Sequence, residues 1–296
     1  MESLNKRLCE VDFWQNVWED AKNSSFNMRK KIRTEKEDIE FWNKFAPSYG
    51  KNTSGRGKER LEKVIRLLES EGILSPEAEI LDIGCGPGTY AIPFAKRVKS
   101  VTAVDGAEEM CRILKENMEK SGLKNINILN RLWGDVDIKK EGLENGFDLV
   151  FASMTPAVSD YKALMKMNEA SRKYCCLISW AGARFNPARN ELWKIIFHEE
   201  DKGMANMIIY PFNLLYSLGY YPTMQYLNTG WMQEETIDEA VESLSRTFWR
   251  FTEITPEIKD IIYNYVKEKA KDGLFRQETK VRMGIMTWRV DEGGKI

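Results

Sequence analysis

The chain predicts an α/β fold, a doubly wound and mostly parallel sheet with helices on both faces. Three observations predict it. From Ile80 to Trp180, short apolar runs alternate with stretches of helical period, the pattern that builds parallel sheets. The run Ile80-Leu81-Asp82-Ile83-Gly84-Cys85-Gly86-Pro87-Gly88-Thr89 reads as a strand, a glycine turn and the start of a helix. The next apolar run, Val101 to Val104, ends in Asp105, so a second acid stands at a second strand tip.

The elements follow in order. Residues 1–50 read as an N-terminal helical cap, polar helices carrying Phe13, Trp14, Trp18, Phe41, Trp42 and Phe45 that are expected to lie over the carboxyl edge of the sheet. Lys51 to Lys58 reads as a flexible loop. Leu61, Val64, Ile65 and Leu68 recur at helix spacing, and Ser75-Pro76 breaks the chain before the first strand. After the glycine turn come a helix over Tyr90 to Arg97, the strand ending at Asp105, and a helix marked by Met110, Ile113, Leu114 and Met118. A third strand, Ile126 to Leu129, leads to Trp133-Gly134-Asp135, and a fourth, Phe147 to Phe151, ends in Ala152-Ser153-Met154-Thr155-Pro156. Tyr161, Leu164 and Met165 mark a helix before the strand Cys175 to Trp180.

Beyond Trp180 the alternation changes. Helices are expected over Glu191 to Glu199 and Asn206 to Leu218, a strand over Met224 to Trp231, and helices around Ile237 to Phe248 and Ile258 to Val266. Lys280 to Val290 alternates as an edge strand does. The expected division is a main domain of residues 51–183 and 219–296, with 184–218 as a cover inserted into it.

Composition narrows the function classes. With 44 basic against 45 acidic side chains in 296 residues, the net charge of −1 gives no basic field for nucleic acid. The densest basic stretch, Arg29-Lys30-Lys31-Ile32-Arg33, reads as a solvated helix face among Glu35, Glu37 and Asp38. Five cysteines without C-x-x-C spacing form no disulfide framework, and adjacent Cys175 and Cys176 on a strand point to opposite faces. Cys85 reads as a buried filler of its turn. A single histidine, His198, makes a histidine-rich metal site impossible, so no metal is expected. Met1 to Glu10 has no apolar stretch of a leader and no run is long enough to span a membrane; a cytoplasmic protein is expected.

The glycine turn carries the chemistry. Its pattern is G-x-G-x-G, with Thr89 where a dinucleotide fingerprint has its third glycine. Asp82, two residues before Gly84, repels a pyrophosphate and suits a cofactor bearing an ammonium group. S-adenosylmethionine has that ammonium and no phosphate. A carboxylate at Asp105 accepts hydrogen bonds from both hydroxyls of a ribose.

Together these residues resemble the class I S-adenosylmethionine-dependent methyltransferases of small molecules, over residues 40 to 180. The resemblance implies a seven-stranded sheet whose last strand is antiparallel, with the active-site cover inserted around strands five and six. It implies that Asp82, Gly84, Gly86 and Gly88 line the methionine end of the cofactor, that Asp105, Gly106 and Ala107 hold the ribose, and that Asp135 with Val136 or Trp133 holds the adenine. Ala46 to Tyr49 looks like the segment that supplies a tyrosine to the cofactor's carboxylate, which makes Tyr49 the candidate, and Ser153 stands at the tip of the fourth strand. Plainer readings stay open at this point: Asp105 as a helix cap, Asp135 as a loop acid, Trp133 and Tyr49 as packing residues, and Ser153 and Thr155 as caps.

Methyl transfer from a sulfonium needs alignment more than acid–base groups, and no catalytic base is evident. Ser153-Met154-Thr155-Pro156 departs from the Asn/Asp-Pro-Pro-aromatic motif of amino-group methylases. The expected acceptor is a small organic molecule, contacted by Arg184, Tyr210, Tyr216 and Trp231 from the cover, where Arg184 and Arg189 suit an anionic group. Methylation of protein or RNA, a cofactor-binding regulator without turnover, and a nicotinamide oxidoreductase are the competing readings.

Overall fold

The computed structural model describes residues 7–23, 34–49, 56–182, 184–201 and 207–293. The basic stretch 29–33 and most of the expected loop 51–58 lie outside them.

Seven strands form one sheet: β1 (Glu79–Ile83), β2 (Ser100–Asp105), β3 (Ile126–Asn130), β4 (Phe147–Ser153), β5 (Ser171–Trp180), β6 (Thr223–Thr236) and β7 (Leu274–Arg289). Their order is β3-β2-β1-β4-β5-β7-β6. The first five run parallel, and β7 is antiparallel to both of its neighbours. The expectation of an edge strand at Lys280 to Val290 is corrected by this order: β7 is enclosed between β5 and β6, and β6 is the edge. The burial of Phe275, Val281, Met283, Ile285, Met286 and Trp288 shows why, since both faces of β7 are covered where it joins the sheet.

Alternate side chains divide between the two faces. Ile80, Phe151, Cys176 and Ile285 pack under α3 (Arg56–Ser70), α4 (Ala91–Ala95) and α5 (Glu108–Lys120). Leu81, Val150, Cys175 and Met286 pack under α1 (Val11–Lys22), α6 (Tyr161–Ala170) and α8 (Ile209–Ser217). Cys175 and Cys176 thus point to opposite faces, as their adjacency requires, and all five cysteines are free thiols. The helix expected over Tyr90 to Arg97 is shorter, ending at Ala95, with Arg97 and Val98 turning back onto Phe94.

Residues 223–236 pair with 274–287 throughout, so β6 and β7 run on past the end of β5 as a two-stranded ribbon. Phe275, near the far end of that ribbon, belongs to a separate core with Leu192, Trp193, Leu244, Phe248, Ile262 and Val266. That core joins α7 (Pro187–Phe197), α9 (Ile237–Trp249) and α10 (Pro256–Lys269) into an upper layer. Asn186 starts α7 by accepting from Arg189 N at 2.8 Å and ties it to the ribbon through Thr279 Oγ1 at 2.7 Å. The packing cuts across the expected 184–218 cover: α7 belongs to the upper layer, whereas α8 packs on the main core beside α1.

An N-terminal helix, α2 (Glu35–Phe45), connects the layers. Thr34 and Glu37 form a reciprocal capping box at its start. Phe41 stacks on Trp249 at the end of α9, 5.4 Å between centroids, while Trp42 packs with Ala46, Ala107 and Met110 above α5. The N-terminal segment therefore bridges the upper layer and the carboxyl edge.

Candidate active site

The glycine turn and the tip of β2 are held together by Asp105. One of its carboxylate oxygens accepts from Gly86 N at 2.9 Å and the other from Ala107 N at 2.9 Å. It is not the cap of α5, whose N-cap is Ala107. Each oxygen keeps a second acceptor position, so the residue anchors the turn and still offers two acceptors to a diol. Burial pushes its pKa up, against the two backbone donors.

The glycines differ in what they do. Gly86, at φ +54°, faces open space: a Cβ there would meet only Tyr49 Cε1, at 3.9 Å. Gly88, at φ +92°, is needed for packing, because a Cβ would lie 2.5 Å from Leu114 Cδ1. Gly84 is pressed against Thr155 of the β4 tip, and a Cβ on Gly106 would lie 2.5 Å from Leu132 Cδ2. At that β4 tip Met154 is left-handed, φ +54°, and its N–H reaches Ile178 O at 2.8 Å. Thr155 Oγ1 accepts from Ala157 N at 3.1 Å, so it closes its own turn, and Asp160 caps the following helix.

Asp82 is 2 % exposed, and its Oδ2 has no hydrogen-bond partner. Burial first, then the Asp105 carboxylate, pushes its pKa up to about 8, with the Ala91 backbone N–H acting the other way. A buried, unpartnered carboxylate oxygen beside a bare glycine backbone fits a ligand that brings a cation. Tyr49 stands over Gly86 and packs edge-on against Phe45. Burial raises its pKa, the Arg60 guanidinium lowers it, and Asp105 raises it. The Tyr90 hydroxyl is buried too: burial raises its pKa, while the Arg60 guanidinium and the Ser153 hydroxyl lower it. Arg60, whose Nε is also buried without a partner, was missed by the sequence reading because nothing in the helical pattern of α3 distinguishes it from its charged neighbours.

At the third strand tip the side chains of two candidates pack inward. Trp133 is 2 % exposed in the main core and donates from Nε1 to Ala163 O at 3.2 Å, so its ring is a core element under α6. Val136 is buried in the same core. Gly134 and Asp135 remain exposed at the strand tip, in a 3-10 turn. That turn is braced by Lys166, a second missed residue: its Nζ donates to Trp133 O at 2.5 Å and Gly134 O at 3.1 Å.

Two of the four acceptor candidates come together. The Arg184 guanidinium lies 5.5 Å from the centroid of Trp231. Tyr210 packs on the main core with α8, on the face opposite Trp231, and Tyr216 is 58 % exposed against Tyr221. These two are corrected as acceptor contacts, because α8 joins the sheet body and not the upper layer. A cavity of about 520 Å³ lies between the start of α3 and the ribbon, lined by Arg60, Gly182, Phe185, Leu227, Thr229 and Val281 among others. Arg60 thus faces both the glycine turn and this cavity. His198 is the left-handed C-cap of α7.

Residues 80–173 match the methyltransferase domain family. That stretch of the chain is a methyltransferase domain, the one that holds the glycine turn and the tips of β1 to β4. A crystal structure from Bacillus halodurans C-125, described as a methyltransferase, superposes with a TM-score of 0.50 at 16 % identity over 78 % of this chain and 98 % of that one, and shares the fold. An uncharacterized protein of Haemophilus influenzae is 26 % identical over 258 residues, 84 % of this chain and 89 % of the relative. A Methanobrevibacter smithii protein named as a cobalt-precorrin-6B C(15)-methyltransferase is 32 % identical over 70 residues; the alignment spans 37 % of its length. The similarity to that relative is confined to 23 % of this chain, whereas the Haemophilus alignment extends over most of it. Among the described residues no helix is long and apolar enough to cross a membrane.

Proposed function

We propose that this methyltransferase passes the methyl group of S-adenosylmethionine to a small organic acceptor held beneath the upper layer. One observation carries the cofactor part: the buried Asp82 carboxylate with an orphan oxygen, beside a Gly86 backbone with only the Tyr49 ring edge near it. Asp82 fits the ammonium of the methionine end, and Tyr49 with Arg60 supplies a hydroxyl donor and a positive charge for its carboxylate. Asp105 fits the ribose hydroxyls, and Gly134 with Asp135 the adenine edge. The cofactor brings a sulfonium-bound methyl group: the acceptor's lone pair forms the new bond to carbon as the carbon–sulfur bond breaks, and its electron pair stays on sulfur.

The chain's own part is alignment and exclusion of water. Tyr49 and Tyr90 have raised pKa values, so near neutral pH their hydroxyls are donors and not bases. An acceptor that must shed a proton therefore gives it to solvent or loses it beforehand. The roof formed by α7, α9 and α10, and the cavity of about 520 Å³ beneath the ribbon, support a metabolite-sized acceptor over a macromolecule.

The test is calorimetry with S-adenosylhomocysteine, followed by incubation with methyl-labelled cofactor and a cell extract separated by size. Saturable binding and label in the small-molecule fraction are expected. Label only in protein or RNA would replace the acceptor class, and no binding would remove the whole reading.

A further inference from the structure

The cavity beneath the ribbon has two kinds of wall. One is apolar. Leu227 of β6 and Val281 of β7 face the same side of the ribbon and pack on the main core. Phe185 adds a ring that is 51 % exposed, fixed there by backbone hydrogen bonds to and from Lys280 at 2.8 and 2.9 Å.

The other kind is charged, and one sign prevails. Arg60 and Lys63 come from the start of α3, Lys280 and Arg282 from β7, and among the described lining residues the sole carboxylate is that of Glu59. The two lysines are paired, Lys63 with Glu59 at 2.6 Å and Lys280 with Glu278 at 2.9 Å. Such exposed pairs leave little charge to satisfy. The two arginines have no acid in contact among the described residues. Arg282 donates from Nε to Asn228 Oδ1 at 2.9 Å, which orients its guanidinium and leaves the terminal nitrogens for a ligand. Arg60 is half-buried, and its Nε is buried without a partner. Two guanidinium forks on the facing walls of one cavity fit a carboxylate or a phosphate, which each can hold through paired N–H donors.

Position links this cavity to the reaction. Ala181 N donates to Arg282 O at 2.9 Å, and a Cβ on Gly182 would lie 3.8 Å from Arg282 Cβ, so Arg282 stands just past the carboxyl end of β5. The glycine turn lies on the same edge of the sheet, after β1. From β4, the next strands are β5, β7 and β6 in that order. At about 4.8 Å per strand, the cavity lies roughly 10–14 Å along the edge from the β4 tip. At that tip Thr155 presses on Gly84 of the turn.

We propose that the methyl acceptor is an elongated molecule with an apolar body and an anionic end, the body lying on Leu227, Val281 and Phe185 and the carboxylate or phosphate docking between Arg60 and Arg282. Its reacting atom then sits near the β4 tip and its charged end in the cavity. This rests on the methyltransferase reading of the same site, and the two fail separately. The protein and its Arg282→Gln and Arg282→Lys variants are titrated first with S-adenosylhomocysteine, which should bind all three alike. Absence of binding to the unaltered protein would remove the cofactor reading and leave the next titrations standing. Phenylacetate and phenyl phosphate are then titrated at constant ionic strength, with benzyl alcohol as the uncharged control. At least one anion should bind saturably, about tenfold or more tighter than benzyl alcohol and about tenfold weaker in Arg282→Gln, with part of the loss restored in Arg282→Lys. Phenylacetate alone identifies a carboxylate and phenyl phosphate alone a phosphate. At saturation that anion should also suppress the transfer of labelled methyl to small molecules of a cell extract. Neither anion outperforming benzyl alcohol, an unchanged affinity in Arg282→Gln, or undiminished transfer at saturating anion would overturn the proposal.

Discussion

At the scale of single residues, Asp82 carries a testable pH dependence. Its pKa is about 8 in the folded protein against an ordinary carboxylate value of about 3.9 when unfolded. The native state therefore holds a proton that the unfolded state has lost, so this residue lowers stability as pH rises from about 4 to 8. A ligand ammonium favours the ionised form and must displace that proton. S-adenosylhomocysteine affinity is thus expected to rise between pH 6 and 8 and to release a proton on binding, read by calorimetry in buffers of different ionisation heat. In Asp82→Asn the proton release disappears. A flat pH profile would show that no cation meets Asp82. The acid and the three glycines were legible in the sequence because spacing alone reveals them. What spacing did not reveal is that Gly86 faces open space while Gly84 and Gly88 face protein, since that depends on Thr155 and Leu114, which are distant in the chain. The packing of Trp133 was hidden for a related reason: an indole at a strand tip looks alike in sequence whether it turns to a ligand or into the core.

At the scale of elements, the turn after β3 depends on a lysine from α6. Lys166 is 8 % exposed, and its ammonium bridges two carbonyls of the Trp133–Asp135 turn while lying 5.0 Å from the Trp133 ring. Lys166→Met keeps the length of the side chain but leaves both carbonyls unpaired. Denaturant titration is expected to show a loss of about 1–3 kcal/mol, accompanied by weaker S-adenosylhomocysteine binding because the turn bearing Gly134 and Asp135 loosens. Stability lost with unchanged binding would mean that the turn does not meet the cofactor. The first five strands were readable because each is a short apolar run between turn residues. The last two were not fully so: the ribbon halves carry Glu234, Glu235, Arg276 and Glu278, polar residues that look like loop until the two strands are seen to pair.

At the scale of the whole molecule, the upper layer is joined to the carboxyl edge through α2, with Phe41 on Trp249 as one contact and Trp42 on the Ala107–Met110 cluster as another. Trp249→Ala is expected to speed hydrogen exchange in 35–45 and 237–249 together while β1, β2 and β4 stay protected. Exchange rising in 237–249 alone would show that the two segments are not one unit. Sequence periodicity told that the helices beyond Trp180 exist, but not that α8 serves the sheet and α9 the roof, because an amphipathic helix does not name the surface it covers.

The placement of β7 between β5 and β6 bears on how the protein is made. During synthesis β6 leaves the ribosome before its pairing partner does, and it has no other neighbour in the sheet. Until residues 274–289 follow, the strand bearing Leu227, Thr229 and Trp231 has nothing to pair with, and the roof helices have no ribbon to stand on. The nascent chain can thus complete its glycine turn early, while the ribbon and the roof above it take shape last, so a ribosome stalled before β7 leaves a folded turn with nothing to shelter it.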